Sequence, residues 1–161
     1  MVEDVVRSLG YLALGSRLKR IGERLQGQAQ VLLEEEGIGL SSSCFPLLAA
    51  LERLGPLSVG ELAEAVGVAQ PGVTRLLGKL ETEGLVKSNP STRDRRIRPI
   101  ALTRAGRQLI ARARKSVWPR IEAAVAEACA EAAGPLLTQL SALEAALLAT
   151  PLKVRAARVG S

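Results

Sequence analysis

SVGELAEAVGVAQPGVTRLLGKLETEGLV, residues 58–86, is the stretch that decides the fold. Ser58 followed three positions later by Glu61 is a capping box: the serine oxygen takes a free backbone N–H, the glutamate reaches back to the cap, and a helix starts there. Leu62, Ala63 and Val66 form its apolar stripe. Gly67 can leave that helix with φ > 0 at little steric cost, and Val68 plugs the corner. Pro71 suits the first turn of a second helix, where an N–H would have no intrahelical partner. Val73, Leu76, Leu77 and Leu80 then follow at i, i+3, i+4 and i+7, one face of an α-helix, while the opposite face carries Gln70, Thr74, Arg75 and Lys79. This is a helix-turn-helix pattern. Short polar and basic side chains at the N-terminal end of the second helix are what a reader of the DNA major groove needs. Gly84 closes the helix.

The continuation, VKSNPSTRDRRIRPIALTRAG over residues 86–106, reads as a β-wing. Val86 and Lys87 start a strand, Asn89-Pro90-Ser91 is turn chemistry, and Ile100 and Leu102 alternate as a returning strand should. Pro99 suits an edge strand. Between the strands lie Arg93, Asp94, Arg95, Arg96 and Arg98, a loop tip with a single carboxylate among four arginines. Thr103 is placed to cap a long final helix.

These residues resemble the MarR family of winged-helix transcriptional regulators. The family's wing pattern, Asp-x-Arg before a strand ending Leu-Thr-x-x-Gly, is similar to Asp94-Arg95-Arg96 and Leu102-Thr103-Arg104-Ala105-Gly106. Its recognition-helix pattern resembles Pro71-Gly72-Val73-Thr74-Arg75-Leu76 with the downstream Glu81-Thr82-Glu83-Gly84-Leu85-Val86. Two positions depart from it. Ala69 stands where the family often has a serine or threonine cap, and Gly72 leaves a bare surface where a base-reading side chain could sit. The resemblance implies a mainly α chain with a small β-wing, a winged helix-turn-helix with N- and C-terminal dimerisation helices. It further implies a homodimer on a pseudo-palindromic operator, DNA contacts from Gln70, Thr74, Arg75, Lys79, Arg93, Asp94, Arg95, Arg96 and Arg98, with Arg96 in the minor groove and Asp94 organising the loop. It also implies a small aromatic or anionic ligand in the cleft between the dimer helices and the DNA-binding lobe, with Tyr11, Arg17, Phe45 and Trp118 as the side chains nearest it.

Charge distribution supports the same reading. Residues 1–68 carry six basic and nine acidic side chains, residues 69–120 thirteen and three, and residues 121–161 three and four. The positive excess thus coincides with the second helix, the wing and the helix after it. A concentrated basic stretch neutralises phosphates and releases condensed counterions. The length of 161 residues fits one domain, with residues 40–106 as the winged-helix lobe and residues 1–36 and 107–161 as dimerisation helices. No apolar run approaches a membrane span and the N-terminus opens acidic, so a cytoplasmic protein without a membrane partner is expected.

The flanks read as helices. Leu14, Leu18, Ile21 and Leu25 recur at near-helical spacing in a helix over residues 9–36, which Gly37-Ile38-Gly39 breaks. Ser41-Ser42-Ser43 can cap a helix over residues 45–54, a helix from Thr103 runs to about residue 133, and residues 136–149 form the last. Leu136, Leu137, Leu140, Leu143, Leu147 and Leu148 cover more than one face of that last helix, which marks an interface.

Other chemistry is sparse. There is no histidine, hence neither the commonest metal ligand nor the commonest general base, and no catalytic constellation or cofactor loop replaces it. An enzyme is not expected, and neither a metal nor a cofactor is. Glu34-Glu35-Glu36 reads as a solvated helix tip. Cys44 stands at a helix N-terminus, where the dipole would favour a thiolate and so a redox sensor; a reduced, buried, apolar cysteine is the competing reading. The opening LGYLALGSRLKRIGERLQ also resembles MarR-type modules fused to acetyltransferases, so a regulatory module partnering a separately encoded acetyltransferase is the alternative to a free-standing regulator.

Overall fold

The computed structural model describes residues 2–88, 99–130 and 134–150. A short helix α1 (Val5–Ser8) and a 3-10 turn (Gly10–Ala13) lead into the long α2 (Leu14–Glu35). A second 3-10 turn (Ser42–Cys44) precedes α3 (Phe45–Leu54), α4 (Val59–Val66) and α5 (Gln70–Thr82). The hairpin strands β1 (Val86–Ser88) and β2 (Ile100–Leu102) follow, then α6 (Arg104–Lys115), α7 (Val117–Ala130) and α8 (Leu136–Ala149). Contacts divide the chain into two units, residues 1–121 and 122–161.

The core of the first unit is aliphatic, as the scarcity of aromatics requires. Leu47, Leu48 and Leu51 of α3, Leu62 of α4, Val73, Leu77 and Leu80 of α5, and Ile110 and Ala113 of α6 are all buried, with Leu33 from the end of α2 among them. Burying each Leu, Ile or Val contributes roughly 1.5–3 kcal/mol. Leu62, Val73, Leu77 and Leu80 belong to the stripes that the periodicity of residues 58–86 specifies, whose Ala63, Val66 and Leu76 are partly buried against them. The capping box forms in full: the Ser58 N–H donates to Glu61 Oε2 at 2.8 Å and the Glu61 N–H donates to Ser58 Oγ at 3.3 Å. Gly67 ends α4 at φ +65° and Gly84 turns the chain out of α5 at φ +67°.

The wing's base is a two-stranded antiparallel sheet in the register Val86↔Leu102, Lys87↔Ala101, Ser88↔Ile100. Ile100 and Leu102 point into the core and Ala101 does not, the expected alternation. Pro99 was expected to suit an edge. It instead precedes a residue paired on both sides, because Ile100 also exchanges two backbone hydrogen bonds with Leu57, at 2.7 and 3.1 Å. Thr103 caps α6 by accepting the Gly106 N–H at 3.1 Å, and its hydroxyl donates to the Gly84 carbonyl at 2.7 Å. Gly106 is obligatory there, since an added Cβ would fall inside van der Waals contact with the Leu85 carbonyl oxygen.

Three local expectations are corrected. The helix from Thr103 is not continuous: α6 stops at Lys115 and α7 begins at Val117. Pro119 is the reason, because it lacks the N–H that would reach the Lys115 carbonyl and its ring crowds that carbonyl. The serines do not cap α3 through their side chains. They form the 3-10 turn and bind α2 instead, the Ser42 N–H donating to Gln30 Oε1 at 2.8 Å and its hydroxyl to the Gln26 carbonyl at 3.0 Å. Glu35 and Glu36 are not a merely solvated tip. Arg120 donates to Glu36 Oε1 at 2.7 Å and to Glu35 Oε2 at 3.1 Å, and Arg112 donates to the Glu36 carbonyl. Both partners of each ion pair are partly exposed, so solvent screens the attraction and the pairs orient the helix ends more than they stabilise them.

The second unit is α8 with most of α7. Within α8 no residue is buried, and Leu137 and Leu148 are 79% and 86% exposed.

Candidate nucleic-acid interface

Helix α5 is held by its apolar face and free on the other. Val73, Leu77 and Leu80 are buried, whereas Gln70, Thr74, Arg75 and Lys79 are exposed. The structure therefore brings together the four residues expected on the reading face, and it sorts them into two pairs. Thr74, exposed, donates its hydroxyl to the Gln70 carbonyl at 3.0 Å, which ties these two residues together. Arg75 and Lys79, one turn apart, border a groove with Gly39, Leu40 and Ser41. That groove was not legible in the sequence, since what brings residues 39–41 to α5 is the packing of the Ser42–Cys44 turn against it.

The two departures of this helix have physical readings. Ala69 provides no side-chain cap to α5. Gly72 is not simply bare surface: it is half-buried, and an added Cβ would stand 2.9 Å from Val68 Cγ1. The turn between α4 and α5 thus closes over a glycine. The wing residues Arg93, Asp94, Arg95, Arg96 and Arg98 lie outside the described residues. The wing's base is tied down by Arg107, whose guanidinium donates to the Leu102 carbonyl at 2.9 Å.

Cys44 is fully buried beside this face. Burial pushes its thiol up, and the nearby Lys79 charge and a hydrogen bond with Ser43 offset this only in part. The thiolate expected from a helix dipole is therefore disfavoured.

Of the four residues expected around a ligand, the structure brings two together. Phe45 and Trp118 meet edge to face, ring centroids 5.9 Å apart at 81°. They line a cavity of about 310 Å³ with Ala29, Leu33, Pro46, Ala49 and Ile121, where Ser42 supplies the hydroxyl. The Arg114 guanidinium carbon lies 5.7 Å from the Trp118 ring centroid and pairs with Glu52, outside that lining. Tyr11 and Arg17 do not join them. Tyr11 is 94% exposed, and Arg17 borders a separate hollow with Asp4, Arg7, Arg20, Ile21 and Arg24. Among the described residues no group of three or more His, Cys, Asp or Glu side chains could hold a metal ion, and no helix is long and apolar enough to cross a membrane.

Three stacked helices, a reading helix held by its apolar stripe and a two-stranded wing define the winged helix-turn-helix class. Residues 38–97 match the sequence profile of the MarR family. The winged helix-turn-helix fold of the described residues agrees with that match. Among relatives, it is 36% identical over 77 residues to the transcriptional activatory protein BadR of Rhodopseudomonas palustris, covering 46% of this chain and 44% of that protein. It is 29% identical over 89 residues to the HTH-type transcriptional repressor MdtR of Bacillus subtilis, covering 55% and 56%. The chain thus spans about half the length of these curated relatives. Among solved structures, the Mycobacterium tuberculosis transcriptional regulator MosR in complex with DNA superposes with a TM-score of 0.65 at 25% identity, covering 83% of this chain and 93% of that one.

Proposed function

We propose that the chain is a sequence-specific, double-stranded DNA-binding transcriptional regulator, a repressor that covers promoter DNA as a homodimer. The observation that carries this is α5, whose apolar face is buried while Gln70, Thr74, Arg75 and Lys79 all stand exposed on the other. The relatives' printed roles, in transcriptional activation and repression, agree with a transcriptional regulator, and that of MdtR with a repressor. In this reading the first turns of α5 enter the major groove deepest, so Thr74 and Arg75 read bases and Lys79, one turn later, contacts phosphate. The wing adds Arg96 in the minor groove, with Asp94 ordering the loop. Two copies would set two α5 helices about one DNA turn apart, roughly 34 Å, on a pseudo-palindrome. No catalytic step is assigned to the chain.

The Phe45–Trp118 cavity is the effector site in this reading, and its lining narrows the ligand. No charged side chain borders it and Ser42 brings a hydroxyl. A small neutral aromatic molecule with one hydrogen-bonding group fits that chemistry, whereas an anion would be desolvated without a partner.

The test begins with fragments recovered from genomic DNA, then compares Arg75→Ala and Lys79→Ala on the recovered operator and on scrambled DNA. Arg75→Ala is expected to cost about 1–3 kcal/mol on the operator alone. Lys79→Ala is expected to weaken both DNAs alike and to reduce the salt slope by about one. Equal loss ratios for the two variants would overturn the assignment.

A further inference from the structure

Arg17, Arg20 and Arg24 fall at i, i+3 and i+7 of α2 and so share one face, and Arg7 joins them from α1. Together with Asp4 and Ile21 they line a hollow of about 260 Å³. Asp4 is the one carboxylate in that lining. Its Oδ1 accepts from Arg20 Nη1 at 2.9 Å and from the Arg7 N–H at 3.2 Å. The Arg20 guanidinium holds the Asp4 carboxyl below the usual carboxylate range. Asp4 is therefore an internal counterion for one guanidinium of four. Asp4 also feels the Arg7 charge, so the guanidinium groups of Arg17 and Arg24 face no carboxylate among the lining residues, and the hollow keeps a positive excess that an anion would offset.

We propose that this hollow binds a small multivalent oxyanion of the diphosphate or phosphorylated-metabolite class. Guanidinium groups bind phosphate oxygens bidentately, with charge-assisted hydrogen bonds about twice as strong as neutral ones. From Arg17 to Arg24 the helix rises about 10 Å, more than one phosphate bridges, which favours an anion with two charged groups over a lone ion. A volume several times the roughly 30 Å³ of a water molecule accommodates it. The site is separate from the Phe45–Trp118 cavity, since the two share no lining residue. The neutral pocket and the anion hollow thus divide two chemistries between two places.

Calorimetric titration of the full chain with inorganic pyrophosphate tests this. Saturable binding of one pyrophosphate per chain is expected, tighter than orthophosphate. The double variant Arg17→Ala/Arg24→Ala is expected to weaken it about tenfold or more, the change that loss of one hydrogen bond to a charged group brings. Asp4→Asn is expected to act in the opposite direction and tighten binding, because it removes the competing carboxylate. A merely structural Asp4 gives no gain. Absence of saturable pyrophosphate binding, or binding unchanged in the double variant, overturns the proposal. So do two other outcomes, each of which names another source of the anion. If pyrophosphate does not bind and the double variant instead loses operator affinity, the arginines serve the DNA backbone. If pyrophosphate does not bind and the double variant shifts the sedimentation coefficient, they serve carboxylates of a second copy, whose residues 121–150 carry four glutamates and no basic residue.

Discussion

The helices of the winged lobe and the helices at the two ends of the chain draw on the same aliphatic residues, yet the lobe buries far more of them. α3 buries Phe45, Leu47, Leu48 and Leu51 in ten residues, and α5 buries Val73, Leu77 and Leu80 in thirteen. By contrast, α2 buries only Leu33 in twenty-two residues and α8 buries none in fourteen. The difference lies in pattern rather than composition. In α5 the apolar residues make one stripe that neighbouring helices can close over, whereas the leucines of α8 stand on several sides at once. Along α1 to α2, Leu12 is 85% exposed and Leu18 and Leu25 remain exposed too. Apolar surface of that extent left in water forgoes about 25 cal/mol per Å² and marks a place where another surface belongs. A second copy of the chain is the occupant that the proposed two-fold reading of DNA requires.

The largest expected effect comes from removing the open region while keeping the closed one. Deleting residues 135–161 should leave the circular dichroism of the lobe intact but lower operator affinity about a hundredfold or more, since each lobe would then bind a half-site without the gain of a tethered second one. Sedimentation showing an undisturbed dimer together with unchanged DNA affinity would place the assembly surface elsewhere.

One substitution made in each region sharpens the contrast, because its sign should differ. Gly106→Ala, in the lobe, drives a methyl group into the Leu85 carbonyl and should cost about 3 kcal/mol by chemical denaturation. Gly27→Ala, in α2, meets nothing within 4 Å and has no positive φ. It should stabilise by about 0.5–1 kcal/mol, the difference between Gly and Ala inside a helix. A loss at Gly27 would instead reveal a partner packed against that face of α2.

The same contrast explains what could be read from the sequence. The lobe was legible because its determinants are local: Ser58 and Glu61 cap each other three residues apart, Gly67 and Gly84 carry the positive φ, and Thr103 caps the helix that begins beside it. Determinants that act across the chain were not. Glu36 looks solvated until Arg120, 84 residues away, is folded against it. Arg17 could be assigned to an aromatic cleft because periodicity gives the face of a helix but not what that face meets. The break at Ser116 was local and still missed, since the apolar pattern runs on through it while Pro119 removes the backbone donor. For the candidate site, the exposed residues of α5 were legible and their division into two pairs was not.

The last test asks whether the lobe's local signals carry energy of their own. Ser58→Ala removes the α4 cap and should cost about 1 kcal/mol, well below Gly106→Ala. The glutamate of the same box gives a pH dependence with a definite sign. Hydrogen bonds from the Ser58 N–H and then from its hydroxyl hold the Glu61 carboxyl below its ordinary range, against a smaller opposing effect of burial. A group whose pKa is depressed by folding contributes stability that is present above its unfolded value and lost as pH falls through its folded value. Stability should therefore fall on acidification through the glutamate range, by an amount kept small by the exposure of Glu61 to solvent. Glu61→Gln keeps an acceptor for the Ser58 N–H but cannot titrate, so its stability curve should be flatter than the parent's over that window. Denaturation midpoints of the two proteins compared from neutral to acid pH decide it, and parallel curves would show that the box holds α4 by geometry alone.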